Sequence, residues 1–203
     1  MSELNSLTGL YYNNYFFQKA DEKLSKLENG TYCLTAIDIE HFRLFNKLYG
    51  REEGDQLLIY IAECVKKMQD EYDGIAGYLG GDNFALLIPN DSALLQQLYE
   101  EIIKGVRRMN TVGFLPGFGV YEIVDTTIAA VVMHDKATIA LSHIKGNYTK
   151  RTYVYDDSMV ESMEEELALL NEIQVGLEFD EFTFFVQPQC DISTGKIVGA
   201  EAP

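Results

Sequence analysis

The chain has 203 residues, of which 47% are hydrophobic and 24% charged, a balance typical of a folded domain with a short additional segment. Its 32 acidic and 16 basic residues give a formal net charge of −16, and such a surface repels phosphate backbones and anionic lipid heads. Nucleic-acid binding is therefore disfavoured, and no membrane contact is expected from this segment.

Helical and extended patterns alternate along the first three quarters of the chain. Apolar residues at helical spacing predict helices over Tyr11–Leu27, Glu40–Leu48, Glu53–Gln69, from Asp91 onward and over Ala137–Ile144. Runs of β-branched and apolar residues predict strands over Thr31–Ile39, Ile75–Leu79, Phe84–Pro89, Gly113–Val124 and Thr152–Tyr155. This order predicts an α/β (α+β) domain with a central mixed five-stranded sheet flanked by helices.

The composition changes after Asp156. An acidic helical stretch over Met159–Leu177 has the pattern of a linker with a solvated face, and Phe182–Gln187 is a further strand candidate. We therefore expect a first domain over residues 1–156, a linker helix over 157–180 and a separate fragment over 181–203.

Two acidic residues occupy positions that suit a cation. Asp38 ends a hydrophobic strand, and Asp82 follows Gly80 and Gly81 in a predicted hairpin turn. The glycines carry no side chain, so a nucleotide can approach the backbone closely. Two carboxylates brought together here suit Mg²⁺ that bridges a triphosphate. From Gly80-Gly81-Asp82-Asn83 alone, an ordinary tight hairpin is the favoured interpretation, because such turns are common.

Four motifs in order resemble the GGDEF family of diguanylate cyclases over about residues 5–156. They are Leu7-Thr8-Gly9-Leu10, the run from Asp38 to Gly50, the pair Gly54-Asp55, and Gly80-Gly81-Asp82-Asn83-Phe84. In active members of this family, two domains face each other, and each holds one GTP with Mg²⁺ or Mn²⁺. Together they form cyclic di-GMP, so the resemblance implies GTP as ligand and a possible homodimer.

The resemblance also implies a role for particular residues. It assigns metal ligands, contacts to the guanine edge, and cations that contact the phosphates. These are Asp38, Asp82 and the Ile39 carbonyl for the metal, Asn46 and Asp55 for guanine, and Arg43 and Lys145 for the phosphates.

Five positions depart from the family pattern around this site. Asn83 stands where the family has an acid, so the catalytic pair Asp82 and Asn83 is degenerate; the other departures are Tyr78, Glu40, Lys47 and Arg51. A neutral amide neither replaces the lost anion nor acts as a base. The family's product-inhibition motif is also absent, since Glu71-Tyr72-Asp73-Gly74 occupies its place.

The C-terminal piece resembles the opening of an EAL cyclic di-GMP phosphodiesterase domain. The resemblance rests on the run that ends in Gln187-Pro188 and on Glu201-Ala202, although Pro203 departs from Leu. Because an EAL domain is a barrel of about 250 residues, only its first elements would be present. The expected parent is therefore a tandem GGDEF–EAL protein.

Three functions remain open at this point. The first is a regulatory domain that binds GTP and magnesium and controls the attached EAL domain, with little or no cyclase activity. The second is a working diguanylate cyclase, and the third is a dimerisation module without a ligand. Three scattered cysteines and the lack of a signal peptide favour the cytoplasm, although the parent protein remains compatible with a membrane anchor.

Overall fold

The computed structural model describes residues 3–108 and 114–201. The chain divides into two compact units, Met1–Met159 and Val160–Pro203. The elements of the first unit are β1 (Tyr11–Tyr12), α1 (Asn13–Leu24), β2 (Tyr32–Ile39), α2 (Phe42–Tyr49), α3 (Arg51–Glu71), β3 (Ile75–Gly80), β4 (Asn83–Pro89), α4 (Ser92–Arg108), β5 (Pro116–Glu122), α5 (Ala130–Ser142) and β6 (Thr152–Val154).

One mixed sheet organises the first unit. Its strand order is β1-β3-β4-β2-β5-β6, with β1 parallel to β3, β6 parallel to β5, and the other neighbours antiparallel. The α/β class is confirmed, and the sheet has six strands where five were expected. The additional strand is β1, because Tyr11 and Tyr12, predicted to be helical, pair with Gly77 and Tyr78.

Other element boundaries also differ from expectation, most clearly those of α5 and β5. Helix α5 begins at Ala130, about two turns before the predicted start at Ala137. Strand β5 begins at Pro116, where a proline is tolerated because the first position of a strand does not require its N–H. The start of the predicted strand at Gly113 lies outside the described residues.

The sheet is covered on both faces, which explains the continuous apolar run of its central strand β2. One face packs against α2, α3 and α4, and the other against α1 and α5. Ile37 and Ile39 of β2 point to the first face, and Leu34 and Ala36 to the second. Because side chains alternate along a strand, Asp38 belongs to the face that α5 covers.

Glycines in β5 bring α5 close to the end of β2. A Cβ atom on Gly119 would lie 1.9 Å from the carbonyl oxygen of Ala137, so only glycine permits this approach. Gly117 is the β5 partner of Asp38 and faces Leu141 and Ile144 near the end of α5. The close packing therefore places the segment after α5 beside Asp38.

The second unit contains most of α6 (Ser158–Glu178) and a hairpin of β7 (Gln187–Cys190) and β8 (Ile197–Glu201). The strand predicted over Phe182–Gln187 is wrong, since of these residues only Gln187 belongs to a strand. Cys33, Cys64 and Cys190 are free thiols. Within residues 3–108 and 114–201, no helix has the length and apolarity needed to cross a membrane.

Candidate active site

An open pocket of about 820 Å³ lies where β2, the β3–β4 turn and the segment after α5 meet. It brings together six of the predicted site residues, namely Asp38, Ile39, Arg43, Asp82, Asn83 and Lys145. The lining thus includes the two acidic residues and the two cations that the resemblance assigned to the metal and the phosphates, together with Ile39, whose carbonyl it assigned to the metal. Their assignment to a ligand stays a prediction.

The two carboxyl groups of Asp38 and Asp82 lie within hydrogen-bonding reach of each other. Burial raises the pKa of Asp38 to about 6, and the neighbouring Asp82 carboxyl adds to that rise. Burial also raises the pKa of Asp82, although a hydrogen bond from the Asp82 backbone N–H, the hydrogen bond with Asp38 and the charge of Arg43 partly offset it. Two anions held this close repel each other, so the pair favours either a shared proton or a bound cation.

Each carboxylate has a cation near it. The charge of Lys145 lowers the pKa of Asp38, and that of Arg43 lowers the pKa of Asp82, in both cases by less than burial raises it. Both cations have exposed side chains and line the pocket. The arrangement therefore offers oxygen ligands for a divalent metal next to positive charge for phosphate groups.

The glycine turn (residues 80–83) is closed by side chains of its own hairpin. Gly80 and Gly81 have positive φ angles of 107° and 64°, a conformation that favours glycine. The Tyr78 hydroxyl donates to the Gly81 carbonyl oxygen at 2.8 Å, and the Asn83 amide Nδ2 donates to the Gly80 carbonyl oxygen at 3.3 Å. Two departures from the family pattern thus hold the turn, and the Asn83 bond needs a donor that a glutamate lacks.

The two residues predicted to contact guanine lie beside this pocket, outside its lining. Asn46 of α2 contacts the start of α3, where a Cβ on Gly54 would lie 1.8 Å from Asn46 Oδ1. That buried Oδ1 has no hydrogen-bond partner in the part of the chain that the structure describes. Asp55 is exposed, and its charge contributes, after burial, to a raised pKa of Tyr78. An unsatisfied amide acceptor and an exposed carboxylate suit a ligand that carries hydrogen-bond donors.

The structure adds a residue that the sequence did not indicate, Arg151. Its guanidinium is buried and forms an ion pair with Glu40, with 2.6 Å between Nη1 and Oε2. Although burial alone would raise the pKa of Glu40, the Gly146 N–H and Arg151 outweigh it and lower that pKa. Glu40, one of the departures from the family pattern, directs its carboxylate to these two partners. No local motif marks Arg151, because its partner lies 111 residues away.

The donor set fits one divalent cation. Asp38 and Asp82 supply two hard anionic oxygens. The repulsion that adds to the effect of burial on the pKa of Asp38 would be relieved by a positive ion between them. Across residues 3–108 and 114–201, no group of three or more histidine, cysteine or acidic side chains is arranged to hold a metal. A metal here would therefore need a carbonyl such as that of Ile39, or ligand oxygens, to complete its coordination.

The sequence model described as "Diguanylate cyclase, GGDEF domain" matches residues 2–147. The probable diguanylate cyclase DgcT of Escherichia coli is 28% identical over 132 residues, which is 64% of this chain and 28% of that protein. The bifunctional diguanylate cyclase/cyclic di-GMP phosphodiesterase MucR of Pseudomonas aeruginosa is 28% identical over 186 residues, covering 86% of this chain and 26% of that protein. The chain thus spans less than a third of the length of either relative.

Solved structures agree with this match. The GGDEF domain of DgcB from Caulobacter crescentus, in complex with c-di-GMP, superposes with a TM-score of 0.62 at 25% identity and covers 75% of this chain and 92% of that one. The S helix-GGDEF-EAL structure of LapD from Vibrio cholerae, bound to c-di-GMP, has a TM-score of 0.60 at 20% identity and covers 98% of this chain and 48% of that one, a likeness in fold. With a family match over most of its length and the same sheet and helix arrangement, the chain belongs to the GGDEF diguanylate cyclase domain family.

Proposed function

We propose that this GGDEF domain binds GTP with Mg²⁺ or Mn²⁺, has little or no cyclase activity, and regulates an EAL phosphodiesterase domain of the same parent protein in the cytoplasm. The observation that carries the proposal is the contrast within the glycine turn. Asp82 points to Asp38 and keeps the predicted metal pair, whereas Asn83 donates its amide to the turn itself.

Binding is supported by charge and by space. Asp38, Asp82 and the Ile39 carbonyl would hold the metal, which supplies charge neutralisation for a triphosphate. Arg43 and Lys145 line the same pocket and would face the phosphates. The pocket is open, which argues against the third candidate, a dimerisation module without a ligand.

Weak turnover is supported by the chemistry of residue 83. An amide is neutral, so it adds no negative charge beside the metal pair and accepts no proton from a hydroxyl nucleophile. Loss of one such carboxylate reduces a reaction rate by about 100-fold when it stabilises the transition state by a few kcal/mol.

Calorimetric titration tests the binding step. We expect heat on addition of GTP with Mg²⁺, none after Asp38→Asn, and a normal titration for Asp135→Asn, which removes an exposed carboxylate of α5 away from the pocket lining. ATP with Mg²⁺ is expected to bind more weakly, because Asn46 and Asp55 would contact the guanine edge. Absence of heat at high GTP concentration would reject the proposed binding.

The second candidate is a working diguanylate cyclase, and the retained Asp38–Asp82 pair favours it. The parent protein is incubated with GTP and either Mg²⁺ or Mn²⁺, and cyclic di-GMP is measured. Little or no product is expected for the natural sequence, and more product for Asn83→Glu, which restores the missing acid. Rapid formation of cyclic di-GMP by the natural sequence would favour this second candidate.

The EAL connection is supported by the relatives that extend past the GGDEF region. The match to the bifunctional MucR covers 86% of this chain, and that to the LapD GGDEF-EAL structure covers 98%. Phosphodiesterase activity of the parent protein is therefore expected to change when GTP is added. The same activity with and without GTP would separate this regulatory role from simple nucleotide binding.

A further inference from the structure

The Lys145 loop (residues 143–151) connects α5 to β6 and carries Lys145, one of the two cations predicted to contact the phosphates. It ends at Arg151, whose side chain is only 5% exposed, whereas Lys145 near its start is exposed. A buried arginine is costly unless its charge is paired and its N–H groups are bonded. The hydrogen-bond partners of Arg151 therefore indicate which segments of the chain its buried side chain holds together.

Arg151 bonds to three separate segments of the chain. Its Nη1 donates to Glu40 Oε2 at 2.6 Å and to the carbonyl oxygen of Asn147 at 3.0 Å. Its Nε donates to the carbonyl oxygen of Pro116 at 3.1 Å, and its Nη2 to that of Leu115 at 3.0 Å. One planar side chain thus joins the end of β2, the start of β5 and the Lys145 loop.

Glu40 completes the connection from the other side. Its second oxygen, Oε1, accepts the backbone N–H of Gly146 at 3.1 Å, directly after Lys145. Its own N–H donates to the Leu115 carbonyl oxygen at 3.1 Å, which fixes Glu40 at the end of β2. Because Glu40 directly follows β2 and lies two residues after Asp38, the pair ties the backbone at Gly146 to the strand that carries Asp38.

We propose that Arg151, paired with Glu40, is a positioning residue that holds Lys145 at the Asp38 end of the pocket, where Lys145 contacts the phosphates of the nucleotide. The phosphate contact rests on the proposed function, whereas the fixing of the loop does not. Arg151 and Glu40 neutralise each other, so the pair orders the loop without adding net charge. Lys145 thereby keeps its own charge for an anionic ligand.

A double-mutant cycle separates positioning from direct contact. The affinity for Mg²⁺ and GTP is measured by calorimetry for Lys145→Ala, Arg151→Lys and the double variant. Arg151→Lys keeps a positive charge beside Glu40 but loses the planar fork of donors. We expect each single variant to bind about tenfold more weakly, the size of a lost charge-assisted hydrogen bond, and the double variant to lose no more.

Additive losses in the cycle would overturn the proposal, because they would mean that Arg151 acts independently of Lys145. An unchanged affinity for either single variant would overturn it as well. Lys150→Ala is the matched control: Lys150 is an exposed cation of the same loop that lies over the Tyr153 ring at 4.0 Å and outside the pocket lining. Its affinity is expected to equal that of the natural sequence.

Amide hydrogen exchange tests the fixing of the loop without any nucleotide. In Arg151→Lys, and in Glu40→Gln as a second route to the same loss, the Gly146 amide is expected to exchange at least about tenfold faster while the sheet amides stay protected. Unchanged exchange at Gly146 would overturn the proposal even if GTP binds. Faster exchange in a protein that does not bind GTP would instead reject the proposed function and retain the fixed loop.

Discussion

The glycine turn and the Lys145 loop border the same pocket, yet they are held in different ways. The turn is closed at exposed positions by neutral donors, Tyr78 and Asn83, each three residues from its acceptor. The loop is held by a buried ion pair between residues 111 apart. Local neutral bonds are worth little each, whereas breaking a buried charge pair is expensive. Substitutions that break the ion pair of the Lys145 loop are therefore expected to lower the free energy of unfolding more than substitutions in the glycine turn.

The largest expected effect, on ligand affinity, comes from substitution of Asp38, which lines the pocket that the glycine turn and the Lys145 loop border. Asp38→Asn removes one anionic metal ligand, and the affinity for Mg²⁺ and GTP is expected to fall by about 100-fold or more. Calorimetry measures the change, with Asp135→Asn as the control. Retained affinity would mean that neither border encloses a metal–nucleotide site.

Removal of the charge of Glu40 is expected to have the next largest effect, a loss of stability. Glu40→Gln leaves the buried Arg151 guanidinium without an anion, and the free energy of unfolding is expected to fall by roughly 2–3 kcal/mol. Urea denaturation at neutral pH measures it. Glu22→Gln is the matched control, because Glu22 pairs with Lys19 at 3.0 Å on the exposed surface and such pairs contribute little. Equal losses for the two variants would contradict the difference between buried and exposed pairs.

The pH dependence of stability is expected to be smaller. The pKa of Asp38 is raised from 3.8 to about 6, so between these values the folded protein binds more protons than the unfolded chain. Its contribution to stability without metal is therefore greatest at low pH and is lost as pH rises through about 6.

Denaturation in EDTA at several pH values between 4.5 and 7.5 measures this effect as the difference between the natural sequence and Asp38→Asn. That difference isolates Asp38 from the carboxylates whose pKa is lowered, such as Glu40. Mg²⁺ is expected to stabilise the protein more at the upper end of the range, where it does not compete with the proton. A difference independent of pH would argue against a raised pKa.

The smallest effect is expected at the glycine turn. Tyr78→Phe removes the hydroxyl that donates to Gly81 and is expected to lower the free energy of unfolding by about 0.5–1 kcal/mol. Thermal and urea denaturation measure the loss. Tyr72→Phe is a comparison that loses an exposed hydroxyl bonded to Gln97 at 3.4 Å, and it should change stability less. A loss of unfolding free energy for Tyr78→Phe as large as that for Glu40→Gln would contradict the proposed difference between the glycine turn and the Lys145 loop.

The fold and the meeting of Asp38 with Asp82 in one pocket could be predicted because their signals are local, whereas the ligand roles of these residues stay predictions. The apolar run that ends in Asp38 indicates a strand end, and the glycines before Asp82 indicate a turn. The order of the four motifs, which resembles that of the GGDEF family, then assigns both acids to the same site. Arg151 could not be predicted, since nothing near it in the chain shows that it meets Glu40. Strand β1 was missed for a related reason: Tyr11 and the residue after it are extended only because β3 lies beside them.

The reach of the Glu40 side chain affects how this domain can be re-engineered. The family pattern has aspartate at this position, and a simple restoration of the motif would exchange the two. The shorter side chain would withdraw its carboxylate from Arg151 and from the Gly146 N–H, which it now meets at 2.6 and 3.1 Å. Residue 40 and the Lys145 loop therefore form one cassette, to be transplanted together from an active homologue or left together in place.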